Sequence, residues 1–181
     1  IAAVADLLRG GMLTQGPMVE AFECGVAEYV GARYAVAVSS ATAGLHIAAV
    51  AAGVGPGTAL VTSPITFVAS ANAALYAGGA ALFADVDPST VNMSADALDV
   101  TLAEHPETKA VVPVHFAGLP CDMKAIRAVA DKAGARVIED AAHALGGSFG
   151  DGNKVGSNAH SDMTVFSFHP VKAVAAGEGG V

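Results

Sequence analysis

Short apolar runs rich in β-branched residues alternate along this chain with longer alanine-rich stretches, which is the pattern of strands separated by helices. The runs predict strands over 35–38, 59–62, 80–84, 110–114, 136–139 and 163–166. Between them, helices are predicted over 19–29, 42–52, 67–77, 95–103 and 123–133. The helix over 42–52 carries Leu45, Ala48, Ala49 and Ala52 on one face, as a surface helix packed on a sheet requires. Glycine, proline and acidic residues mark loops at 53–57, 85–88 and 146–159. Strands joined through helices need crossover connections, so the expectation is a single α/β domain with a mostly parallel sheet covered by helices.

Composition narrows the function. The chain is 53% hydrophobic, 14% charged and 6% aromatic, and much of its apolar content is alanine, which favours close helix packing. A formal net charge of −8 with no basic cluster excludes nucleic acid as a partner, because that binding rests on lysine and arginine neutralising phosphates. Only Cys24 and Cys121 are present, and the six histidines lack the helical pairing of metal ligands. Neither a disulfide framework nor a metal is expected, and the two thiols fit a reducing, cytoplasmic setting. No apolar run is long and uninterrupted enough to suggest a bilayer span. Val181 follows a glycine turn where a further strand is expected, so the chain reads as a fragment, inactive by itself and with an unfinished sheet.

The candidate chemistry centres on Lys172. It ends the run Met163-Thr-Val-Phe-Ser-Phe-His-Pro-Val-Lys172 and precedes Gly177-Glu-Gly-Gly180, so an apolar strand delivers an amine into a glycine-rich loop. Such an amine either attacks a carbonyl to form a Schiff base or simply ends the strand in water. Upstream, 136–139 leads into Asp140, which puts a carboxylate at the carboxyl edge of the sheet, where open α/β folds bind ligands. Asp140 either holds the protonated ring nitrogen of a pyridoxal cofactor or caps a following helix. Ser40 and Thr42 open the helix after 35–38, giving either a phosphate cradle of free N–H groups and hydroxyls or an ordinary N-cap.

These elements occur in a familiar order. With Thr14-Gln-Gly-Pro17, Thr62-Ser-Pro-Ile-Thr-Phe-Val-Ala-Ser-Ala-Asn72, Pro113-Val-His-Phe-Ala-Gly118, Pro120-Cys-Asp-Met123 and Phe166-Ser-Phe-His-Pro-Val-Lys172, the whole chain resembles the DegT/DnrJ/EryC1/StrS sugar aminotransferases. That resemblance implies a fold type I pyridoxal phosphate enzyme, a three-layer sandwich, with residues 1–181 forming part of its large domain. The remainder of that domain and a small C-terminal domain would lie outside this sequence. It also implies that Lys172 forms the internal aldimine with pyridoxal 5'-phosphate and moves protons. Asp140 would face the pyridine nitrogen and Phe67 the ring, unless Phe67 is a plain core aromatic. Ala41, Thr42 and Ser167 would take the phosphate, and His143 would sit near the phenolic oxygen. Thr14, Gln15, Gly16 and His115 are the candidate substrate contacts, or else structural, and His169 is expected to shape the turn before Lys172.

The wording of the motifs is most similar to the branch that makes UDP-4-amino-4,6-dideoxy-N-acetyl-β-L-altrosamine in the pseudaminic acid pathway. Ala175 and Ala176, where that branch commonly has threonines, depart from it. The implied reaction moves an amino group from glutamate to C4 of a UDP-linked 4-keto-6-deoxy-N-acetylhexosamine, within a homodimer. Ser39-Ser-Ala-Thr-Ala-Gly44 resembles very closely the same segment of the aminotransferase that acts on a UDP-4-keto pentose, the rival substrate. A non-catalytic regulatory relative is the rival class, against which both Lys172 and Asp140 argue. Family dehydratases replace the lysine with histidine.

Overall fold

A computed structural model describes residues 2–10 and 12–181. Helix α1 spans Ala2–Gly10, α2 Pro17–Val30, α3 Ala41–Ala51, α4 Ala69–Tyr76, α5 Ala95–Glu104 and α6 Met123–Ala133. Strands β1 (Ala59–Thr62), β2 (Ala80–Phe83), β3 (Thr108–Val112), β4 (Arg136–Asp140) and β5 (Met163–Val165) form one sheet of order β2-β1-β3-β4-β5. Every neighbouring pair in it is parallel, as the alternation of runs predicts.

Strand alternation divides the core into two layers. Leu60, Ala110, Val112, Ile138 and Val165 pack with Leu45, Ala48 and Ala49 of α3 and with Ala69, Ala73 and Ala74 of α4. Val61, Val111 and Val137 face the other way, onto Leu98 and Leu102 of α5 and onto Ile126 and Ala130 of α6. The alanines matter because they let α3 and α4 approach the sheet without bulky spacers. Ends are set locally: Pro17 occupies the first turn of α2, and left-handed Gly31 closes it by donating its N–H to the Ala27 carbonyl. Ser40 and Asp122 cap α3 and α6 by accepting from the N–H groups of Ala43 and Ala125.

Besides shifts of one or two residues at element ends, as in β3, expected over 110–114 and found at Thr108–Val112, the structure departs from the sequence expectation in three places. The segment 35–38 is not a strand; Val38 alone makes an antiparallel bridge, to Gly180, with N–H···O distances of 3.0 Å in both directions. The Ala37 N–H donates instead to the Glu23 side chain at 2.7 Å. Helix α4 starts at Ala69 rather than at Phe67, because Thr66 and Phe67 form the turn that leads into it. Helix α1 has no counterpart in the predicted elements. No helix among the described residues is long and apolar enough to cross a membrane.

Ile138 lies wholly buried in the interior strand β4, on the sheet face that α3 and α4 cover. Ile138→Ala in the intact protein is expected to cost about 2–5 kcal/mol, through lost transfer energy and the cavity left behind. The shift of the urea unfolding midpoint measures it, and a cost below about 1 kcal/mol would show that the layer collapses around the gap.

Candidate active site

The carboxyl ends of β3, β4 and β5 and the amino end of α3 converge on one cavity of about 580 Å³. Ala41, Thr42, Phe67, Asp140, His143, Ser167 and Lys172 all line it. Residues from four separate stretches of sequence therefore meet where a parallel sheet offers a ligand crevice.

Asp140 is the last residue of β4 and only 5% exposed. Its Oδ1 accepts from the Ala142 N–H at 3.2 Å, and its Oδ2 accepts from the Ser70 hydroxyl at 2.6 Å. A turn at 142–143 comes next, not a helix, which removes the helix-cap alternative. Phe67 is 72% exposed at the cavity, which likewise removes the reading of a core aromatic.

Lys172 sits in a loop closed at its base by antiparallel pairing. Ser167 bridges Gly180, Phe166 exchanges hydrogen bonds with Val181, and the Phe168 N–H donates to the Gly179 carbonyl at 2.9 Å. The Lys172 N–H donates to the His169 carbonyl at 2.9 Å, so His169 shapes the turn through its backbone while its ring lines the cavity. The Lys172 Nζ lies 2.6 Å from the His143 Nε2. An ammonium can only donate, so Nε2 accepts and the imidazole is neutral with its proton on Nδ1. Partial burial, then the charge of Lys172, holds His143 below the ordinary histidine range, against a smaller opposing pull from Asp140.

The amino end of α3 is held against the same loop. Ser40 satisfies the Ala43 N–H, while the N–H groups of Ala41 and Thr42 lie in the first turn, where no intrahelical carbonyl reaches them. A Cβ on Gly180 would stand 2.7 Å from the Ala41 nitrogen and 2.7 Å from the Ser40 carbonyl carbon. Glycine is required there for the lysine loop to reach the helix start.

His115 also borders the cavity but is 1% exposed, and both its ring nitrogens are engaged. Its Nδ1 accepts from the Cys121 N–H at 3.1 Å, which makes Nε2 the donor to the Glu139 Oε2 at 2.8 Å. Glu139 is fully buried and also accepts from Thr164 at 3.1 Å and from Ser161. The geometry thus assigns His115 to holding a buried carboxylate, against the expectation of a substrate contact. Thr14, Gln15 and Gly16 do not line the cavity; Gly16 is the N-cap of α2. Sequence reasoning missed Ser70, Glu139 and Glu178, of which only Glu139, beside Asp140 at a strand end, left a signal.

A parallel α/β sheet that gathers a lysine loop, a buried aspartate and a free helix start around one cavity offers the groups that a Schiff-base cofactor needs. Similarity to known proteins makes this specific. Residues 1–181 match the DegT/DnrJ/EryC1/StrS aminotransferase family, and the chain belongs to it. It is 46% identical to the spore coat polysaccharide biosynthesis protein SpsC of Bacillus subtilis, over 100% of this chain and 45% of that protein. DesI, solved in the presence of its TDP-sugar product, is 45% identical with a TM-score of 0.82, over 92% of this chain and 41% of its own. Spr1654 of Streptococcus pneumoniae, solved in its PLP form, is 31% identical with a TM-score of 0.91, over 98% of this chain and 48% of its own. The chain spans less than half the length of these relatives.

Pyridoxal 5'-phosphate is the cofactor that this membership carries, and the cavity fits it. An amine, a buried carboxylate and an uncovered helix start with a neighbouring serine hydroxyl are the donors and acceptors such a molecule requires.

Because the His143 shift is downward, any stability linked to it is intact above about pH 6.5 and is lost as pH falls through the lowered value. Titration of the His143 ring protons by NMR should give a midpoint below the ordinary one, and Lys172→Ala should raise it part of the way back. An unchanged midpoint in the variant would mean that the ammonium does not act on the ring.

Proposed function

We propose that the intact protein is a pyridoxal phosphate-dependent aminotransferase whose acceptor is a nucleotide-linked keto sugar. The observation that carries this reading is the meeting of Lys172, Asp140 and the start of α3 on one cavity. When bound, the cofactor supplies an electron sink for moving an amino group between donor and acceptor. The chain's own residues do the rest. Lys172 would hold the cofactor covalently through Nζ and, when free, would carry protons, with His143 Nε2 as its neighbouring acceptor. The Asp140 carboxylate would keep the ring nitrogen protonated, and Phe67 would cover a ring face. Ala41 and Thr42 offer N–H groups to the phosphate, and Thr42 and Ser167 add hydroxyls. His143 would sit near the phenolic oxygen.

The finer reading is transfer from glutamate to C4 of a UDP-linked 4-keto-6-deoxy-N-acetylhexosamine in the cytoplasm, by a homodimer whose sites are completed across the interface. A sugar acceptor is supported by the TDP-sugar product of DesI and by the polysaccharide role of SpsC. The UDP-linked hexosamine rests on the wording of 62–72 and 166–172, with the UDP-4-keto pentose as the rival suggested by 39–44. This chain is read as the cofactor-binding part of a large domain, consistent with relatives more than twice its length.

Borohydride reduction of the loaded protein followed by peptide mapping is expected to fix the pyridoxyl group on Lys172. An adduct elsewhere, or none, overturns the reading.

Substrate choice is tested by kcat/KM for the two sugars with the same donor. Burying the acetamido and methyl groups is worth roughly 1–3 kcal/mol apiece, so the hexosamine is expected to be preferred by about 10- to 200-fold or more. Equal use of the pentose would sink the hexosamine assignment and leave the family untouched.

A further inference from the structure

We propose that Ser70 is a positioning residue for Asp140, fixing the carboxylate in the orientation in which it lines the cavity. The inference rests on the cofactor reading above. Ser70 lies in the first turn of α4, is 0% exposed, and stands 70 positions from Asp140 in sequence but 2.6 Å from its Oδ2. Three acceptors surround the Ser70 hydroxyl: Asp140 Oδ2, the Phe67 carbonyl at 3.3 Å and Thr66 Oγ1 at 2.7 Å. It has one proton to give. The carboxylate is the closest and the only charged acceptor, and a bond to a charged group is about twice as strong as a neutral one, so the proton goes to Asp140. Thr66 is then the donor to Ser70, and the order is Thr66 to Ser70 to Asp140.

The bland alternative is a helix serine bonded back to its own turn. The distances argue against it, because the bond to the Phe67 carbonyl is longer than the bond to Oδ2 by 0.7 Å. Function gives the arrangement a reason. A carboxylate that must stay ionised and aimed at a buried position needs donors within the protein, or it turns toward whatever proton is nearest. The Ala142 N–H holds Oδ1 from the backbone of the following turn, and Ser70 holds Oδ2 from a helix on the sheet face. Two donors from independent elements fix the carboxylate plane, and lone pairs remain on both oxygens for a ligand.

The test is a double-mutant cycle on cofactor affinity in the intact protein, read by absorbance titration with pyridoxal phosphate. Ser70→Ala is expected to weaken binding roughly tenfold when Asp140 is present, the loss expected for one hydrogen bond to a charged group. In the Asp140→Ala background it is expected to change binding less than about twofold, because no carboxylate remains to position. An equal loss in both backgrounds would mean that Ser70 acts through packing, and the proposal falls. Wild-type affinity in Ser70→Ala also overturns it. Should Ser70→Ala fail to fold, Thr66→Val carries the same cycle, with a loss of about twofold or more expected only where Asp140 is present, and no such loss counts against the proposal. If the wild-type protein or Asp140→Ala shows that the aspartate does not matter to the cofactor, the failure belongs to the functional reading instead.

Discussion

Two adjacent buried carboxylates at the end of β4 constrain everything around them. Strand alternation sends Glu139 and Asp140 to opposite faces of the sheet, and burying an ionised group costs several kcal/mol unless hydrogen bonds replace the lost water. Each face must therefore bring donors. For Glu139 they come from His115 after β3, from Ser161, and from Thr164 of β5, its partner in the strand register. For Asp140 they come from Ser70 of α4 and from the Ala142 backbone. Elements more than 20 residues apart are tied to one dipeptide, and their carboxyl ends cannot drift without exposing a charge to an apolar interior.

The lysine loop is fixed by a second, backbone-only device. Gly180 bridges both Val38 and Ser167, and it approaches the start of α3 so closely that any side chain there would collide with Ser40 and Ala41. The loop carrying Lys172 is thereby joined to the helix start proposed for the phosphate. The covalent and electrostatic attachment points proposed for the cofactor would then share one support, the arrangement a site needs when small displacements cost large factors in rate.

Much of this was legible in the sequence, and the remainder was hidden for a physical cause. Apolar runs fully buried between helix layers, such as those of β1 and β4, announce themselves by composition. Lys172, Asp140 and Ser167 were legible because a parallel sheet gathers the carboxyl ends of its strands, and the residues just beyond them, at one edge. The run 35–38 misled because β-branched residues fit any extended segment, and whether one becomes a strand depends on neighbours that the local sequence does not reveal. His115 misled for a related reason: its position at the ligand edge is as expected, but its two ring nitrogens are taken by a backbone N–H and a carboxylate from other elements. Ser70 left no trace, since a serine in an alanine-rich helix looks the same whether it faces water or a carboxylate.

The turn leading into α4 shows how one short segment serves both kinds of demand. Thr66 and Ser70 are four residues apart and share a face, so their hydroxyls join inward toward Asp140, while Phe67, the next residue, projects outward to the cavity mouth. A regular helix begun at Phe67 would have to satisfy its first N–H groups within this turn. Starting α4 at Ala69 instead leaves the Phe67 carbonyl to accept from the Ser70 N–H at 3.2 Å and the Val68 carbonyl to accept from the Asn72 N–H at 2.9 Å. The turn is thus anchored by its own backbone before the side chains are considered. That anchoring fixes the backbone beneath a mostly exposed aromatic ring at the cavity, and leaves the hydroxyls of Thr66 and Ser70 free to serve the buried carboxylate.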